Sequence, residues 1–216
     1  MFGRSSHVQG IRFTTKDHQR NAAEGKPSYF LDLSDYSWGD LPAGVRNYIK
    51  FGESQNLHTR YKTRIREPWW AVPSVYATEC GLLKRSHVVP KIIVNNAGAY
   101  TTDTAYRITT KIDPNILAVS WLNSLTLLYC ELLGRSYGGG VLELVPSEIR
   151  KVPLPMVNFD GSYINEIDDL IRTGASIEDI LKTQNKIIAN KLNIDVSKLQ
   201  ILESARLRLL SRRNRK

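Results

Sequence analysis

A nearly unbroken apolar run, residues 116–133, opens on Asp113-Pro114 and stops at Gly134. An Asp in front of a Pro is a helix start: the carboxylate caps the first free N–H groups, and proline at the first helical position has no N–H to leave unpaired. Glycine directly after the last apolar residue is a helix stop. The run is long enough to be mistaken for a membrane span. However, Ser120, Asn123, Ser124, Thr126 and Glu131 interrupt it, so it reads as a buried core helix around which the rest of the chain is arranged.

On the N-terminal side, residues 8–13 and 29–33 have strand-like patterning between polar turns, and residues 42–51 read as a short helix opening on Pro42. Residues 59–112 are rich in β-branched and aromatic side chains, with strand-length runs at 69–76, 91–95 and 106–111. After Pro153 and Pro155 the pattern becomes helical. Gly174 closes one helix, and Ser176 with Asp179 opens the next, which carries Ile177, Ile180, Leu181, Ile187 and Ile188 on one face. A capping box at Ser197 and Gln200 starts the last helix, with Leu199, Leu202, Ala205 and Leu209 facing inward. These signals give an α+β fold. A β-rich mixed domain with a central buried helix is expected over residues 1–155, followed over 156–216 by a helical extension. That extension ends in a basic tail of Arg206, Arg208, Arg212, Arg213, Arg215 and Lys216.

Lys and Arg total 30 against 21 Asp and Glu, a net charge of +9 on 216 residues, which favours an anionic partner. Cys80 and Cys130 are far apart and sit in apolar surroundings. They read as buried thiols in a reducing compartment, with no disulfide framework or metal site. No secretory leader stands at the N-terminus, so the expected location is cytoplasmic, away from membranes. The chain has no Asn-Pro-Pro-aromatic tetrapeptide, no Gly-rich nucleotide or S-adenosylmethionine loop after an N-terminal strand, no His-Glu-x-x-His and no Cys-x-x-Cys. His7, His18, His58 and His87 do not cluster. A site assembled only in three dimensions stays open.

Binding features are more plentiful. Arg60, Lys62, Arg64 and Arg66 alternate with Tyr61, Thr63 and Ile65. On a strand, that alternation places four cations on one face, where they either track phosphates or form a solvated outer surface. Trp69 and Trp70 follow. Packing of both in the core is the better reading, with a sugar or base contact by Trp70 as the alternative. Next, Asn95, Asn96, Thr101, Thr102 and Asp103 form a polar loop suited to base edges and phosphates, or equally to a plain turn. Finally, Arg135, Ser136 and Tyr137 lead into Gly138, Gly139 and Gly140. Three glycines allow close backbone approach, so the segment is a phosphate cradle or a tight corner.

Together these blocks resemble the C-terminal target-recognition region of bacterial N6-adenine DNA methyltransferases from restriction–modification systems. The blocks are Tyr48-Ile-Lys-Phe-Gly-Glu53, Arg60 to Trp70, Lys91 to Gly98, and Gly134-Arg-Ser-Tyr-Gly-Gly-Gly-Val-Leu-Glu-Leu-Val-Pro-Ser-Glu148. They occur in the family's order over roughly residues 8–213, and the last is the most specific. The layout around Leu122-Asn123-Ser124, with its Val-Pro-Leu-Pro exit, is also similar to the specificity subunits of type I restriction enzymes. The resemblance implies a module that reads double-stranded DNA. Arg60, Lys62, Arg64 and Arg66 would hold phosphates, the loop from Asn95 to Asp103 would face the groove, and Arg135 to Gly140 would meet the strand. Whole enzymes of this kind carry an S-adenosylmethionine pocket and an Asn-Pro-Pro-Tyr-type loop, and this sequence has neither. The resemblance therefore puts the cofactor and the catalysis on a separate catalytic chain or on a missing domain. No methylation is expected of this chain alone. Two alternatives remain open: a basic nucleic-acid scaffold without sequence preference, and an inactive remnant of a truncated methyltransferase.

Overall fold

The structure, a computed structural model, describes residues 1–215. It divides into two compact units, one of residues 1–28 and 77 onward and one of residues 29–76. The elements in chain order begin with β1 (Arg12–Phe13), α1 (Thr15–Ala23), α2 (Ala43–Ser54) and α3 (Tyr61–Arg64). Then follow β2 (Cys80–Leu83), β3 (Arg85–Ser86), β4 (Ile92–Asn95), β5 (Ala105–Ile108), α4 (Pro114–Trp121) and α5 (Ser124–Leu133). The chain continues through β6 (Arg135–Tyr137), β7 (Val141–Glu143), α6 (Pro146–Ile149), α7 (Tyr163–Arg172), α8 (Ile177–Leu192) and α9 (Val196–Asn214). The class is α+β. Helix takes 47% of the chain and strand 12%, so helices and not strands carry most of the structure.

In the larger unit, a four-stranded sheet has the order β1-β4-β2-β5, with β1 parallel to β4 and the other pairs antiparallel. Every residue of β2 is buried, as in a strand covered on both faces. On one side, Cys80, Leu82, Ile92 and Val94 join the main core with residues of α4, α5, α7, α8 and α9. On the other, Ile93 packs with Phe2, Val8, Phe13 and Ala99. Gly81 is where Phe2 comes closest: a Cβ there would lie 2.9 Å from the ring. Both cysteines are free and buried, and burial pushes the Cys80 thiol up to about 12.

The apolar run is two helices, not one. α4 and α5 meet at a 72° bend, and neither is long and apolar enough to cross a membrane; nor is any other single helix among the described residues. The polar residues inside the run explain the break. Asn123 accepts a hydrogen bond from Thr126 N and so caps a new helix. The groups freed at the bend are met from α8. Gln184 Nε2 donates to the Val119 carbonyl at 3.0 Å, and Asn185 accepts from Ser124 N at 3.1 Å. Ser124 Oγ in turn donates to Glu203 of α9. Asp113 caps α4 and Gly134 ends α5 as the sequence indicates.

The helices after Pro155 pack on the sheet and on α4 and α5 and lie within the larger unit. α8 starts on the Ser176 cap. α9 starts two residues before the expected capping box, on Asp195, which accepts from Ser197 N at 2.8 Å. The basic tail is mostly a helix end. Arg206 is fully buried against Glu203, and Arg213 is nearly so; Lys216 lies outside the described residues.

α7 is tied to the N-terminal strand by charge. Asp168 Oδ1 accepts from the backbone N–H groups of Ile11 and Arg12 at 2.7 and 2.9 Å. Arg172 donates to Asp168, to both oxygens of Asp17, and to the Arg12 carbonyl. Burial alone would push the Asp17 carboxyl up. Hydrogen bonds from Arg172 and Thr14 outweigh it and hold the carboxyl far below the usual carboxylate range. A depressed folded value means that the stability gained is present above the unfolded value, near about pH 4, and is lost as pH falls further. Asp17→Asn should therefore cost about 3–5 kcal/mol at neutral pH. Urea midpoints of the two proteins should converge as the pH drops below about 4; a gap that stays constant there would contradict the assignment.

Candidate nucleic-acid interface

A cleft of about 570 Å³ opens in the larger unit where three segments meet. The first is the N-terminal segment. Phe2 N donates to the Tyr100 carbonyl and Thr102 N to the Phe2 carbonyl, both at 3.0 Å, which lays residues 2–3 along the 101–104 loop. Thr104 Oγ1 then donates to the Gly3 carbonyl at 2.6 Å. The fit is close enough that a Cβ on Gly3 would sit 1.7 Å from Thr102 Oγ1. The second segment is that loop itself. The third is the passage from β2 to β3, where Lys84 bonds at N to the Thr104 carbonyl and at its carbonyl to Leu144 N. Through it the chain leaves the four-stranded sheet for a second one of order β3-β7-β6.

The lining is cationic and hydroxyl-rich: Arg4, Lys84, Arg85 and His87, with Ser5, Ser6 and Thr104, against the acids Asp103 and Glu143. Glu143 is already engaged by Arg85, Nε to Oε2 at 2.6 Å, a pairing that raises the arginine and keeps it charged. The Arg85 guanidinium also lies over the Tyr137 ring at 5.9 Å, and Lys84 Nζ over the Tyr106 ring at 4.9 Å. These rings brace the two cations on one side and leave the other side to the cleft. Backbone, hydroxyl and cationic donors around one concavity suit phosphate oxygens.

Of the binding residues singled out in the sequence, Asp103 alone is in the lining of this cleft. Val141 and Glu143, of the hairpin that follows Arg135, Ser136 and Tyr137, line it too. Gly138, Gly139 and Gly140 form the turn of that β6–β7 hairpin; Gly139 and Gly140 have φ of 76° and 73°, which glycine adopts without strain. Arg135 is exposed and paired with Glu148 at 2.8 Å. Asn95 instead holds its own loop, donating to the Thr78 and Ala99 carbonyls and accepting from Ala99 N. Asn96 accepts from Arg12 Nε, Thr101 bridges to Phe2, and the Thr102 hydroxyl meets that of Thr104.

The cationic patch expected from sequence lies in the 29–76 unit and is not a strand. Arg60 caps the single-turn helix α3, its carbonyl accepting from Thr63 and Arg64 N, so Arg60, Lys62, Arg64 and Arg66 do not share a face. Alternation failed as a strand signal because Tyr61 and Ile65, the residues that would face a core, are exposed. Arg60, Lys62 and Arg64 are nonetheless exposed, and no carboxylate pairs with any of the four among the described residues. Residues 69–76 also contain no strand. Trp69 and Trp70 both pack on the small core of Leu33, Leu41 and Ile49. No three His, Cys, Asp or Glu side chains among the described residues gather as a metal ion requires.

Sequence reading missed Arg4, Ser5, Ser6, Lys84, Arg85 and His87. The signal for part of it was Lys84-Arg85-Ser86-His87 following directly on the apolar strand Cys80–Leu83. Fold and cleft define an α+β module with a basic cleft in its larger unit. Over residues 1–189 the chain matches the family model described as "Type II methyltransferase M.Eco57I, C-terminal domain", and it belongs to that family. No curated protein and no solved structure matches it. It is thus a methyltransferase-associated module of the C-terminal type.

The hairpin turn bordering this site is held from α9. Arg213 donates to Glu131 at 2.8 and 3.0 Å, to the His87 carbonyl at 3.0 Å, and to the Gly140 carbonyl. Both charged side chains are almost fully buried, at 2% and 4% exposure. Arg213→Ala should cost about 3–5 kcal/mol in unfolding free energy because it strands the Glu131 charge. A change within about 0.5 kcal/mol, as for a surface residue, would contradict this.

Proposed function

We propose that this chain reads a target sequence on double-stranded DNA for an adenine-specific methyltransferase or restriction–modification complex. The observation that carries the reading is the cleft: Arg4, Lys84 and Arg85 converge with three hydroxyls and Asp103 in a chain of this methyltransferase family. In this reading the cations hold phosphates and fix the register. Asp103, Thr102 and the Ser136–Tyr137 edge of the hairpin supply the groups that meet base edges. Arg60, Lys62, Arg64 and Arg66 add phosphate contacts from the other unit, and the net charge of +9 supports a polyanionic partner. S-adenosylmethionine and the methyl-transfer step belong, in this reading, to a separate catalytic chain or to a catalytic domain that this sequence does not contain.

Titrating the protein against a pool of random duplexes at two salt concentrations, and sequencing the bound fraction, tests this. Enrichment of a short motif supports target reading. Salt-sensitive binding without enrichment points to a non-specific scaffold, and no binding to an inactive remnant. Lys84→Ala should weaken every duplex about equally and lower the salt slope by about one. An unchanged slope would remove Lys84 from the phosphate contacts.

A further inference from the structure

The 29–76 unit has a feature that phosphate binding does not use. Its core is small, and its aromatic residues are conspicuously exposed: Tyr48 at 65%, Phe51 at 60% and Tyr61 at 71%. Tyr48, Phe51, Trp69 and Trp70, with Leu31, Leu33 and Leu57, line a pocket of about 240 Å³. Its walls are fixed. Trp69 lies on the bare helix backbone at Gly52, where a Cβ would be 2.8 Å from its ring, and its Nε1 donates to Glu53 at 3.1 Å. Trp70 stands edge-on to Trp69 at 81° and packs on Trp38 at 5.5 Å. The indole N–H of Trp70 is buried with no acceptor among the described residues.

Size and charge identify the occupant. Drug-sized ligands fill about 300–1,000 Å³, so a 240 Å³ pocket suits one planar ring system and not a whole nucleotide cofactor. The pocket is also flanked by cations. Residues 43–66 contain Arg46, Lys50, Arg60, Lys62, Arg64 and Arg66 against the single acid Glu53. The turn carrying Arg60 to Arg64 is fastened to the pocket wall, since the Thr63 hydroxyl donates to the carbonyl of Leu57. Aromatic faces beside unpaired cations are the arrangement that binds an unstacked base and its backbone.

We infer that this pocket receives a single unpaired nucleobase, stacked among Tyr48, Phe51 and Trp69, from a strand whose phosphate meets an exposed cation of the Arg60–Arg64 turn. The inference deepens the nucleic-acid reading above but stands on residues of the other unit.

Tryptophan emission reports on it directly. Trp38, Trp69 and Trp70 lie in this unit, whereas Trp121 is buried in the main core with its N–H on the Pro90 carbonyl. The full chain is titrated with a short single strand, a fully paired duplex, and the same duplex carrying one bulged base. The bulged duplex should bind more tightly than the paired one and quench the emission. In the double variant Tyr48→Ala, Phe51→Ala, the ratio of bulged to paired affinity should fall by about 5- to 100-fold, the loss of a stacked base. Both residues are exposed, and near-UV circular dichroism checks that the variant remains folded. Equal affinity for the two duplexes, or a variant that keeps the preference, would overturn the inference while leaving duplex reading intact. Quenching by the single strand without duplex binding would uphold the pocket and defeat duplex reading. No quenching by any of the three overturns the pocket, whatever binds elsewhere.

Discussion

Arg172 sits where the larger unit closes on itself. One guanidinium binds two carboxylates and a carbonyl from distant parts of the chain: Asp17 and Arg12 near the start, 155 and 160 positions away, and Asp168 one turn away on α7. The strand it anchors, β1, has two residues and one neighbour, too little to hold itself. Charge pairing on α7 supplies what the ladder cannot. The approach is so close that Gly10 has no room for a side chain, with a Cβ falling 1.9 Å from Asp168. Once β1 is fixed, the Phe13 and Phe2 rings pack tilted at 35° with centroids 4.8 Å apart, and the N-terminal segment lies on the 101–104 loop to form one wall of the basic cleft.

The same logic changes what the positive charge means. Of the 30 basic residues, several that look available in the sequence are structural. Arg206 is buried among Glu203 and Glu178, Arg213 is clamped to Glu131 and two carbonyls, and Arg172 is spent on Asp17 and Asp168. Burial of an arginine is tolerable because carboxylates and carbonyls meet its fixed fork of donors. The basic surface is therefore smaller than a net charge of +9 suggests. Arg85 at the cleft and the exposed Arg60, Lys62 and Arg64 are part of what remains on it.

Glycine placement follows the same division between what is local and what is not. The triplet at Gly138 to Gly140 offered a choice between a cradle and a corner, and it is the turn of a hairpin beside the cleft. Gly140 is confined by α9, since a Cβ there would lie 2.4 Å from Asn214 Oδ1. No local pattern announces a partner 74 positions away. Helix α9 lies beyond the stretch that matches the methyltransferase family, yet its Arg213 ties the hairpin turn to Glu131 of α5.

Local chemistry was legible in the sequence. The Asp113-Pro114 start, the Gly134 stop, the Ser176 cap, the strand at 92–95, the helix beginning after Pro42 and the α+β class all follow from caps, breakers and periodicity, which act within one turn of the chain. So did burial of both cysteines. Tertiary structure decided the rest. The apolar run broke at Asn123 because Gln184 and Asn185 are there to satisfy the freed backbone groups. The Arg60–Arg66 alternation gave no strand because no core faces Tyr61 and Ile65. Part of the basic tail became an internal clamp because Glu131 meets Arg213. At the bend and at Arg213 the deciding partner lies 61 to 82 residues away in sequence, and a one-dimensional pattern carries no record of which distant group meets a buried charge or a freed N–H.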